Sequence, residues 1–356
     1  MTSTRATASP RPSTRRKASN LSAAAQPTAF IPPYSSSWFD GLTAAVERLP
    51  GPFWATYGLG FLAYLGLLTM ALNSAGEPLT LAAVYSNSLP FYGFWLIHYL
   101  DRRAAASLED FRPAFTGSAS DLQEVRWRLT TLPAAPALAI TFAALLIAIA
   151  SSLPWGLGST VLILGMLAYW ATFVFGFLYA YHSIRQLRLV TSLYAERARV
   201  ELHRVAPLRA FSTLTAQTAI GMLLLLSGAF LITPERLFGV WLVGSLLFVG
   251  LAVLTFILPL TGLNRRIAEA KAKELADLAR RWQTTLTELY RRIDRGDLAA
   301  ADRLNGTLAA LERGRTAIER IPTWPWRPET LRGMVGALVL PVLIFIVQRV
   351  LGRLLG

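Results

Sequence analysis

Long apolar runs separated by short charged or proline-containing breaks dominate the chain. A helix needs about 20 apolar residues to cross the hydrocarbon of a bilayer, and uncharged stretches of that size recur. Residues 53–72 form one, and 81–100 form a second that Asn87, Ser88, Pro90 and His98 dilute. No charge occurs from Leu129 to Ile184. That is too long for one helix, and Pro154 and Gly156 interrupt it. The pattern predicts spans over 133–150 and 159–181, then two more over 212–232 and 238–262. A shorter run, 333–348, carries Pro341 in its middle. It is apolar on every face and reads as a seventh span; a re-entrant or an interfacial helix is the alternative.

The polar segment 264–320 has a different rhythm. Leu275, Leu278, Trp282, Leu286, Leu289 and Ile293 recur at steps of three and four among Ala, Glu, Lys and Arg, the stripe of an amphipathic helix. Arg295-Gly296-Asp297 turns the chain, and Leu304, Leu308 and Leu311 continue the stripe. The spacing predicts an antiparallel helical hairpin with these nine residues as its core, closed on itself or paired with a second copy as a four-helix bundle. Pro322, Pro325 and Pro328 forbid a continuous helix through 321–328, within a connector that runs to 332. In that connector Trp324, Trp326, Arg327 and Arg332 suit the headgroup region as interface anchors.

Composition sharpens the picture. Hydrophobic residues are 53% of the 356 and charged residues 16%, with mean hydropathy +0.42; soluble domains carry roughly 25% charged residues. The fold class expected is an all-α, polytopic membrane bundle of six or seven spans with a cytoplasmic helical hairpin. The net charge of +14 does not call for nucleic acid, because basic cytoplasmic loops and anionic lipid account for it. All Lys and Arg except Arg236, Arg349 and Arg353 fall in the segments before residue 49, at 101–128, at 185–209 and at 265–332. That split places the N-terminus in the cytoplasm. Residues 1–50 read as a disordered tail, since 1–39 are acid-free and rich in Ser, Thr, Ala and Pro.

Several chemistries are excluded. With no Cys there is no disulfide, thiol nucleophile or Cys-based metal site. Lysine occurs only at Lys17, Lys271 and Lys273, none after Gly, so no Walker A loop exists. No catalytic motif, metal site or cofactor site is expected. No Asp, Glu, Lys or Arg lies within the six spans, whereas coupled transporters keep an ionisable group near the midplane. The intramembrane candidates for a polar cavity are Asn87, Gln217 and, at a membrane edge, His98. His182 and His203 fall at the same side, with Asp101 one turn beyond His98.

Phe111-Arg112-Pro113, Leu129-Thr130-Thr131-Leu132-Pro133, Pro207-Leu208-Arg209-Ala210-Phe211-Ser212, Leu258-Pro259-Leu260-Thr261-Gly262-Leu263 and Thr323-Trp324-Pro325-Trp326 through Leu331-Arg332 together resemble an uncharacterised family of bacterial polytopic membrane proteins. The resemblance implies embedding in the bacterial inner membrane and a cytoplasmic helical insert, with no assigned activity.

The expectation is therefore a non-enzymatic membrane scaffold or signal-coupling protein acting through its hairpin. Its partners would be anionic lipid at the basic loops and a second copy or another protein at the hairpin. A channel or non-proton-coupled transporter is the alternative, and a lipid-acting enzyme ranks third. The orientation is directly testable. Reporter fusions after Arg48 and within 297–303 are both expected to give cytoplasmic signals, and a signal from the other side at either site contradicts the assignment.

Overall fold

The computed structural model describes residues 30–155, 158–232, 238–326 and 328–355. The chain before Phe30, including most of the expected tail, lies outside the described residues. Among the described residues every regular element is helical, apart from two isolated bridges, Ser36–Pro133 and Phe115–Ala198.

The α-helices are α1 (Trp38–Glu47), α2 (Phe53–Ala75), α3 (Leu81–Phe111), α4 (Ala119–Thr130), α5 (Ala134–Ser152), α6 (Thr160–Glu196), α7 (Ala210–Ile232), α8 (Phe238–Asp294), α9 (Leu298–Glu319) and α10 (Pro328–Leu355). Local sequence sets many of the ends. Ser37 with Asp40 and Ser118 with Asp121 form capping boxes at α1 and α4. Thr80 and Ser159 cap α3 and α6. Gly76, at φ 73°, ends α2 in the left-handed region that favours glycine.

Several expectations change. Residues 38–47, read as part of a disordered tail to residue 50, form α1 and bury Phe39 completely. Its capping box overrides the polar composition upstream. The basic segments at 101–128 and 185–209 are largely helical, because α3 and α6 run past their apolar runs to Phe111 and Glu196, and α4 follows. Good helix formers beyond an apolar run extend the helix at little cost.

Five helical segments are long and apolar enough to cross a membrane: 53–75, 134–152, 160–196, 207–228 and 245–294. Residues 81–100 fall short of that apolarity, and α3 instead packs among α2, α6 and α7. Asn87, Pro90 and His98 are all buried there. α10 is one continuous helix with Pro341 inside it; it lies on α7 and brings Met334 and Ala337 to the core around Phe256.

The last expected span and the first helix of the polar segment are a single helix. α8 has 57 residues, roughly 85 Å at 1.5 Å per residue. α9 packs against it: Lys271 Nζ donates to the carbonyls of Glu319 at 2.6 Å and Ile321 at 3.0 Å, so the end of α9 returns to the root of α8. Gly296, at φ 73°, and the Asp297 cap make the reversal. Of the nine expected core residues, Leu308 is buried and Leu275, Leu278, Trp282, Leu286, Leu289, Leu304 and Leu311 are half-buried. Ile293 is 47% exposed, contrary to expectation, because only the turn lies beyond it. Two helices alone cover one side of each stripe.

Leu308→Asp is expected to destabilise the α8–α9 segment by several kcal/mol, since it buries an unpaired charge. Ala310→Asp, at an exposed position of α9, should be nearly neutral. Limited proteolysis between Trp282 and Leu311 checks both; equal cleavage of the two variants contradicts the packing.

Candidate functional site

A cluster of buried ionisable side chains lies at the end of the bundle that carries the basic segments. α3 contributes His98 and Asp101, one helical turn apart on one face. α6 brings His182 and Gln186, again one turn apart. His182 Nε2 lies 2.5 Å from Asp101 Oδ1, with only 2% of the His182 side chain and 12% of the Asp101 side chain exposed. Gln186 Nε2 donates to Leu129 O at 2.9 Å and to Asp101 Oδ1 at 3.3 Å. Nδ1 of His182 and Oε1 of Gln186 are buried without a hydrogen-bond partner.

A second pairing sits beside the first. His98, 3% exposed, sets Nδ1 2.8 Å from Tyr57 Oη on α2 and Nε2 3.2 Å from Glu47 Oε1 at the end of α1. Arg102 also donates to Glu47, at 3.3 Å, and lies over the Phe53 ring. At the other end of α1, Asp40 caps its own helix and accepts from Leu132 N at 3.2 Å. Arg185 donates to Thr131 O at 2.8 Å and to Tyr34 Oη, pinning the segment before α1. Beside these contacts lies an open cleft of about 880 Å³ lined by Asp40, Glu47, His98, Asp101, Arg102, Arg126, Thr130 and Thr131, among others.

Asp101 lies just past the apolar run 81–100. Burial pushes its carboxyl above the ordinary carboxylate range, and the His182 contact acts against that. The pair can hold or move a proton between two shielded atoms. Among the described residues, no group of three His, Asp or Glu side chains is arranged to hold a metal ion.

The three residues expected to share a polar cavity are separated. His98 belongs to the site above. Asn87 accepts from Tyr64 Oη at 2.6 Å and donates to Ala83 O at 2.8 Å, beside a different cavity. Gln217 Oε1 accepts from Arg103 Nε at 3.0 Å. The expected interface anchors also divide. Trp324 stacks on Trp326 at 4.4 Å, and Trp326 stacks on Phe256 of α8 at 5.0 Å, so both indoles brace a helix. Arg332 is exposed, and Arg327 lies outside the described residues.

Sequence reasoning placed Asp101 at a membrane edge and missed its burial. The usable signals were spacings: His98 with Asp101 at i, i+3, and His182 with Gln186 at i, i+4 on a second helix. Compared with known protein families, curated proteins and solved structures, the chain matches none. Phe111, Leu129, Leu208, Ala210, Phe211, Leu260 and Leu263 share one buried core, against which Trp326 packs.

His182→Ala strips Asp101 of its partner and is expected to cost about 3–5 kcal/mol, the usual penalty for leaving a buried charge unpaired. Asp101→Asn in the same chain should recover part of that loss. A raised carboxyl pKa means the folded chain favours the protonated form more than the unfolded chain does. The His182→Ala deficit should therefore be small below the ordinary carboxylate range and grow as pH rises through the raised value. Thermal unfolding in detergent across pH checks all three outcomes; a deficit independent of pH contradicts the assignment.

Proposed function

We propose that the protein is a non-enzymatic, multi-pass membrane protein that docks a second protein surface through its α8–α9 hairpin. The carrying observation is α8 itself. One helix runs from an apolar segment through the buried core, where Leu260, Leu263 and Ile267 are at most 1% exposed, and continues about 30 residues past Asn264, roughly 45 Å of helix. Its stripe is only half covered by α9, and Tyr290, Ile293 and Leu298 near the turn are 47–67% exposed. An apolar stripe of this kind is stabilised by a further helical surface, and a second copy supplying a four-helix bundle is the simplest one.

The same core cluster contains Leu100 and Ala104 on α3, which flank Asp101, and Val190 on α6, two turns beyond His182. A change of protonation or ligation at the His–carboxylate site therefore acts on the helices that root α8. We read the site as the input and the hairpin as the output of a coupling protein in a bacterial inner membrane, basic end in the cytoplasm. α3, shielded by its neighbours, and α10 complete seven crossings in this reading. A channel or transporter needs a polar path to the midplane. At Asn87 the polar atoms are already bonded internally, which favours the coupling reading.

The absence of native cysteine makes the test clean. Single Cys at 290, 293 or 298 should give a discrete disulfide- or maleimide-crosslinked species in native membranes. Leu308→Asp in the same chains should abolish it. No discrete product from any of the three positions overturns the proposal.

A further inference from the structure

We infer that the cavity beside Asn87 is a binding site for a single hydrocarbon chain, the acyl tail of a membrane lipid. The inference rests on the membrane reading above, which carbonate extraction of native membranes tests separately. The cavity, about 730 Å³, lies at the end of the bundle away from the His–carboxylate site, where α3 and α6 begin and α7 ends. Its volume is within the roughly 300–1,000 Å³ of small-molecule pockets.

The lining decides the class of ligand. Among the described residues none of the lining side chains is charged. The polar ones are already engaged. Tyr85 Oη donates to Leu225 O at 2.5 Å, Ser86 Oγ to Ala82 O at 2.8 Å and Thr172 Oγ1 to Ala168 O at 2.8 Å. Asn87 is held by Tyr64 and Ala83, and Tyr169 Oη lies 3.1 Å from Ser151 Oγ. A polar solute entering here would shed water and meet few replacement partners, a net cost. A hydrocarbon chain sheds no such bonds and meets Met166, Phe173 and Leu226 instead.

The mouth and floor decide the route. Leu162 and Phe248 line the cavity and are 39% and 49% exposed, so its rim is apolar and turned outward between α6 and α8. That rim faces hydrocarbon when the helices span, and a lipid headgroup stays outside. On the floor, a Cβ added at Gly165 meets no atom within 4 Å, so the space is open at the helix surface itself.

The test is photo-crosslinking of the full-length protein in nanodiscs. One arm carries phosphatidylethanolamine with a diazirine near the end of one acyl chain; a second carries the matching free fatty acid. Adducts are mapped by peptide mass spectrometry. Labelling of 161–173 is expected to exceed, several-fold, that of the exposed α2 face at Leu62, Leu67 and Met70. Gly165→Leu and, independently, Leu162→Trp should reduce it several-fold. Gly176→Leu, on the same helix at another open glycine outside this lining, should not. Labelling from the phospholipid arm supports the inferred lipid tail. Labelling only from the fatty-acid arm overturns that source. Uniform labelling of α2 and α6, or undiminished labelling in both filling variants when they remain monodisperse, overturns the site.

Discussion

The bundle is organised around a helix whose polar groups must be satisfied inside the protein. α3 carries Asn87, Pro90, His98 and Asp101 along its length, and each polar group needs a partner away from water. Its neighbours supply them. α2 provides Tyr57 for His98 and Tyr64 for Asn87, α6 provides His182 for Asp101, and α1 closes on His98 through Glu47. α7 approaches closely enough that a side chain at Gly221 would meet Leu96 at 2.8 Å, and one at Gly228 would overlap Tyr85. The small residues of α7 therefore serve the enclosure of α3. The strongly apolar helices α2, α5 and α6 form much of the outer face, with Leu62, Met70, Phe142 and Leu146 exposed.

The two ends of this bundle differ in chemistry for the same reason. At the basic end, α3 emerges with His98, Asp101 and Arg102, and α1 with its capping Asp40 and terminal Glu47 folds over them, leaving a polar cavity. At the opposite end, no charged side chain is among the described lining, and the space between α3, α6, α7 and α8 has a mostly apolar wall. Beyond the polar cavity, where α3 and α6 end and α7 begins, the core around Phe111, Tyr194 and Phe211 ties these three helices together. Three mutual aromatic contacts of 5.5–5.8 Å and the Tyr194 Oη bond to Leu208 O at 2.7 Å hold it. Arg266 at the root of the projecting part of α8 reaches the carbonyls of Tyr194 and Ala195. The projecting part of α8 is thus fastened to this core by packing and by hydrogen bonds.

Much of this was legible in the sequence, and what was not has a consistent cause. Apolar length predicted six or seven spans, and five of them coincide with segments long and apolar enough to cross, because burial of a whole helical surface needs only composition. The 3.6-residue stripe from Leu275 to Leu311 and the Arg295-Gly296-Asp297 turn announced two helices and a reversal. The capping boxes at Ser37 and Ser118 are local signals that the sequence reading passed over, the first because of the acid-free stretch before it. Continuity across 238–294 and the extension of α3 and α6 were hidden. A change from apolar to charged residues marks a change of solvent, and it does not end a helix.

The sequence by itself determined the class of the molecule: an all-helical chain with several segments fit for a membrane, no thiol chemistry and no nucleotide loop. Tertiary structure alone decided which polar residues meet. Asn87, His98 and Gln217 are similar in a linear reading, yet they end in three separate environments. Asp101, which the charge pattern assigned to an edge, is enclosed against His182 from 81 positions away. Helical periodicity fixes the face a residue occupies, but the partner across that face is set by how neighbouring helices pack. That packing depends on glycine contacts, aromatic volumes and buried hydrogen bonds spread over the whole chain.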